Sequence, residues 1–109
     1  MKKVLLILLL SVVPVFGQQR LLVIGGGERP PDAMKKFVEW SGGAKSKILV
    51  ITWASGVPDE SYASLEKAFQ NSNTGLVEHA PIRPLDDQKR AKLVEQLNSA
   101  SGIFFSGGD

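Results

Sequence analysis

Residues 47–58 read KILVITWASGVP, and this stretch decides the fold. After Lys47, the residues Ile48-Leu49-Val50-Ile51 run on without a polar interruption. A strand with one wet face alternates apolar and polar residues; an unbroken run suits a strand covered on both faces, as in a parallel sheet. The run then passes through Thr52 into Trp53-Ala54-Ser55-Gly56-Val57-Pro58, a segment rich in turn residues. A buried strand that ends in such a turn and leads to a helix is the first half of a βαβ unit.

The same alternation extends in both directions. Towards the amino end, Leu21-Leu22-Val23-Ile24 is another continuous apolar run, ending in Gly25-Gly26-Gly27-Glu28. Pro30-Pro31-Asp32 signals a helix start, Met34, Phe37 and Val38 follow at helical spacing, and Gly42-Gly43 closes the element. Towards the carboxyl end, a helix is predicted from about Asp59 to Gln70, with Tyr62, Leu65 and Phe69 on one face. Leu76 to Ile82 reads as a weaker strand. Pro84 and the pair Asp86-Asp87 open a third helix, with carboxylates suited to its positive end and Leu93, Val94 and Leu97 as the expected buried stripe. Gly102-Ile103-Phe104-Phe105 is the last strand, running into Ser106-Gly107-Gly108-Asp109. Four strands alternating with three helices predict an α/β fold: a flavodoxin-like parallel sheet, right-handed crossovers, and helices on both faces. Such sheets usually continue for further βα units, so the sheet is expected to be incomplete at Asp109.

The first seventeen residues stand apart. Lys2 and Lys3 precede an apolar run from Val4 to Phe16, broken only by Ser11 and Pro14, and Val15-Phe16-Gly17 leads into polar Gln18-Gln19-Arg20. This is the layout of a secretory signal peptide, and the run is shorter than the roughly 20 apolar residues of a bilayer span. Residues 18–109 are then the exported domain, secreted or periplasmic, with no membrane anchor after removal of the signal. The chain has 13 basic and 11 acidic side chains, and loss of Lys2 and Lys3 leaves 11 of each. The apparent basic excess is a targeting feature and gives no ground for a nucleic-acid partner. There is no cysteine, so neither disulfides nor thiol chemistry serve the domain. One histidine, His79, and no carboxylate cluster at ligand spacing leave no metal site or other cofactor to expect.

Ligands of open α/β sheets bind beyond the carboxyl ends of the strands. Three strand ends here carry glycine-rich loops, GGGERP, WASGVP and SGGD, and glycine lets backbone N–H groups approach a ligand. One glycine loop alone marks a tight turn; three expected on one edge mark a site. A dinucleotide fingerprint fails, because Gly25-x-Gly27 is followed by Pro30 where the third glycine belongs, and no acidic residue ends the next strand. A phosphate loop of the P-loop type is missing. Ser55, Ser101 and Ser106 lie outside any G-x-S-x-G elbow, and His79, at the far end of a weak strand, is expected to be a partly buried or surface histidine. The residues therefore allow a binding module for a small anionic ligand or part of a catalytic site, and assemble no triad.

Taken in order, IGGGE, ILVITWASG and GIFFSGGD resemble the start of the cyanophycinase-like serine peptidases, relatives of dipeptidase E with a class I glutamine-amidotransferase-like fold. The resemblance runs from about Leu21 to Asp109 and is most specific over Gly102 to Asp109. It implies that Gly107 and Gly108 carry the backbone amides of an oxyanion hole, with Asp109 the acidic residue beside it. Gly25, Gly26, Gly27 and Glu28, with Ala54 and Ser55, would form the pocket loops. Trp53 departs from the small residue expected at its position. The family nucleophile lies in a G-x-S-A-G elbow after the next strand, beyond Asp109, with its histidine and acidic partners later still. The implied activity is hydrolysis of peptide or isopeptide bonds at acidic residues by a secreted enzyme, with an oligomer allowed; residues up to Asp109 alone are expected to be inactive.

Overall fold

A computed structural model describes residues 20–24 and 28–107. Helix α1 covers Pro31–Trp40, a 3₁₀ turn Gly43–Lys45, and strand β1 Lys47–Ile51. Helix α2 (Pro58–Gln70), strand β2 (Leu76–His79), helix α3 (Asp87–Ser99) and strand β3 (Gly102–Phe105) follow. The three strands form a parallel sheet in the order β2-β1-β3, with Ile48 opposite Val77 on one side and Gly102 on the other. Four of the five β1 residues are buried, as expected of a central strand covered on both faces.

Each end of a helix has a local cause. Pro31 and Pro58 occupy first turns, where the missing N–H costs nothing. The Asp86 carboxylate accepts the Lys89 backbone N–H at 2.8 Å and caps α3. α1 stops at Ser41 because Gly42 follows with φ of +114°, a conformation that side chains other than glycine rarely adopt.

Two apolar layers sandwich the sheet. Ile48 and Val50 project into one, with Met34 and Val38 of α1 and Leu65 and Phe69 of α2. The rings of Phe37, Phe69 and Phe104 meet there at centroid distances of 5.3–5.9 Å, two of the three pairs edge to face. Leu49 and Ile51 project to the other face, against Ala80, Leu93 and Trp53. Helices therefore lie on both faces, as the alternation predicts.

Two expectations need correction. Leu21–Ile24 forms no strand: Leu21 and Val23 are 84% and 79% exposed, and only Ile24 of this run joins the core. The run lies beside β3, where Leu21, Leu22 and Ile24 line a cavity with Ile103, Phe104 and Phe105, and it is not part of the sheet. The second correction concerns α3, where Val94 and Leu97 are largely uncovered, at 55% and 40%, and the buried residue is Gln96. The inward line of α3 is Lys89, Leu93, Gln96 and Ala100, spaced by four, three and four, and Val94 and Leu97 lie one residue round the helix from it. Gln96 is buried because its Nε2–H donates to the His79 carbonyl at 3.2 Å, on the edge strand β2.

Candidate functional site

From β1 the chain passes to β2 on one side, then returns across β1 to β3 on the other. α2 and α3 pack on opposite faces, so the carboxyl ends of β1 and β3 border the crevice where the winding reverses. In open α/β sheets this switch point is where ligands bind. The loops that leave β1 and β3 are Thr52–Val57 and Ser106–Gly107. The two start side by side, since Ile51 is opposite Phe105 and the Ser106 N–H donates to the Ile51 carbonyl at 3.0 Å.

Of the residues singled out in the sequence, Ala54, Ser55 and Gly107 leave this carboxyl edge. Ala54 is exposed; the Ser55 hydroxyl is 2.6 Å from that of Ser61 and accepts the Val57 N–H at 3.1 Å, which fastens the loop to the first turn of α2. Nothing lies within 4 Å of where a Gly107 side chain would begin. The Ser106 hydroxyl is buried with no hydrogen-bond partner among the described residues. Gly25, Gly26, Gly27, Gly108 and Asp109 lie outside the described residues. Glu28 is not brought to this edge: with Arg29, Asp32 and Lys35 it lines a cavity of about 790 Å³ whose other wall includes Asn71 and Asn73. Those two residues belong to the turn that leads into the start of β2, at the amino edge of the sheet.

The carboxyl edge also holds a group of residues that the sequence does not reveal. His79 ends β2, and its Nε2 is 2.7 Å from the hydroxyl of Thr52, the buried residue that follows β1. The imidazole stacks on the Tyr62 ring at 4.4 Å between centroids, with 2° between the planes. Burial holds its pKa below the usual 6.5, while Asp59 pulls the other way. The Tyr62 hydroxyl faces Glu66 Oε2 at 2.9 Å and the Val77 carbonyl at 3.0 Å. Burial, then the Glu66 hydrogen bond and the Glu66 and Glu78 charges, push its pKa well above the ordinary tyrosine range. Thr52 and His79 are 27 residues apart, and only the pairing of β1 with β2 joins them.

Trp53 makes a second tie between the same two strand ends. Its indole N–H donates to the Pro81 carbonyl at 2.9 Å. The Arg83 guanidinium lies over the ring at 5.5 Å and donates to the Trp53 carbonyl at 3.2 Å. The bulky residue found where the resemblance expects a small one thus packs on the α3 face and ties the loops together.

The Thr52–His79 separation is that of a nucleophile and its base, but Thr52 is only 1% exposed and cannot reach a substrate. Among the described residues no group of three or more metal-ligating side chains could hold an ion, and no helix is long and apolar enough to cross a membrane. No protein-family model, curated protein or solved structure matches the chain.

Proposed function

We propose that the chain is the amino-terminal part of a secreted serine-type peptidase of the cyanophycinase-like kind, which hydrolyses peptide or isopeptide bonds at acidic residues. The observation that carries this reading is the meeting of ITWAS and FFSG, parts of two of the resembling segments, at one switch crevice. In this reading the amides around Gly107 and Gly108 donate to the oxygen that becomes negative as the scissile carbonyl turns tetrahedral. A fixed donor of this kind is worth about 3 kcal/mol of barrier. Glycine suits the position because the main chain must come close to the substrate. The attacking serine and its base come from chain after Asp109, and residues 1–17 direct export.

The test is to read the gene past the codon for Asp109 and assay its whole product. Support would be a G-x-S-x-G elbow within about 40 residues, one further βα unit. Cleavage of a β-aspartyl-arginine polymer, abolished when that serine becomes alanine, would complete it. No elbow and no turnover, with a small anion bound at the glycine loops, would instead make the domain a non-catalytic binding module.

A further inference from the structure

The loop that leaves β1 is held to β2 by two ties of different character. Trp53, Pro81 and Arg83 make one, through the indole N–H and the guanidinium. The other, between Thr52 and His79, includes the chain's only histidine. Thr52 is also the first residue of the turn, its carbonyl accepting the Ser55 N–H at 3.0 Å.

We propose that His79 is a positioning residue for the Thr52–Ser55 turn, and that the turn changes its hydrogen bonding when the imidazole takes up a proton. In this proposal the neutral ring has its N–H on Nδ1, and the Thr52 hydroxyl donates its hydrogen to Nε2, 2.7 Å away. A proton from solvent that binds Nε2 makes both ring nitrogens donors. The Thr52 oxygen must then accept, and its hydrogen must point elsewhere, at the residue that fixes the start of the turn. The groups facing the ring are Thr52 from β1 and Tyr62 and Asp59 from α2, with Glu66 behind Tyr62. On β2 itself Glu78 precedes the histidine and its charge acts on Tyr62, and from α3 Gln96 reaches only the His79 carbonyl. This role does not depend on the peptidase reading, since it concerns the turn whatever ligand the crevice takes.

A pH titration of the isotopically labelled full chain by NMR tests the proposal. The sole histidine gives an unambiguous imidazole signal, with an expected midpoint below 6.5. The Thr52, Trp53, Ala54 and Ser55 amides should shift with the same midpoint. In Thr52→Val the imidazole should still titrate while these amides no longer follow, and Thr52→Ser should restore the response. Asp59→Asn, at an exposed position, should lower the midpoint further, because it removes a carboxylate that favours the imidazolium. Turn amides that stay still through the imidazole transition of the unaltered chain would overturn the proposal, as would amides that follow it unchanged in Thr52→Val.

Discussion

At Gly75 a β-carbon would collide with the carbonyl oxygen of Ser46 and stand 2.8 Å from that of Ala44. Both obstacles are backbone, and the Gly75 and Leu76 N–H groups bond to the Ser46 hydroxyl and carbonyl, so neither side yields easily. Gly75→Ala should cost about 1–3 kcal/mol, the usual penalty for overpacking, seen as a lower urea midpoint at unchanged slope. His79 makes a different prediction. Its folded-state pKa is below 6.5, so the unfolded chain binds more protons in this range and stability rises with pH. The contribution is complete above pH 6.5 and is lost as pH falls through the lowered folded value. Urea midpoints of the unaltered chain should therefore fall from neutral to mildly acidic pH by more than those of His79→Gln; equal slopes would contradict the shift. At this scale the sequence says least. Nothing in the letters of Thr52, Tyr62 and His79 shows that they meet, because strand pairing and the α2 crossover bring them together.

Among the elements, the cap of α3 is the clearest local signal. Asp86→Ala removes the acceptor for the Lys89 N–H and should lower stability by about 1 kcal/mol in the same assay. Boundaries set by proline, glycine or a cap residue could be read directly, because their chemistry is local: Pro31, Asp86 and Gly42 all act as the sequence suggests, while Pro58, which the sequence assigns to the loop, is the first residue of α2. Long unbroken apolar runs were equally readable for β1 and β3. Leu21–Ile24 has the same composition, but an apolar run of four does not say whether its backbone joins the sheet. In α3, helical spacing alone allows two neighbouring stripes. The face that wins is the one that puts an amide on the His79 carbonyl, a requirement set by the edge of the sheet.

For the whole molecule, the order β2-β1-β3 matters most, since it makes the ends of β1 and β3 a switch point. It also leaves apolar surface uncovered beside α3, where Ile103 is 41% and Phe105 69% exposed. The α/β class of the fold, and the loops that leave β1 and β3 at one edge of the sheet, were legible in the sequence. The separation of Glu28 from those loops was not, because the order of strands, and so the edge each loop reaches, is set by pairing. The central claim is that ligand binds in the β1–β3 crevice. It is tested most directly by following the labelled full chain by NMR as a β-aspartyl-arginine dipeptide is added. Perturbed amides should cluster at Thr52–Gly56 and Phe105–Gly107. Perturbation confined to Lys35 and Asn71–Asn73, around the amino-edge cavity, or none at all, would contradict the account.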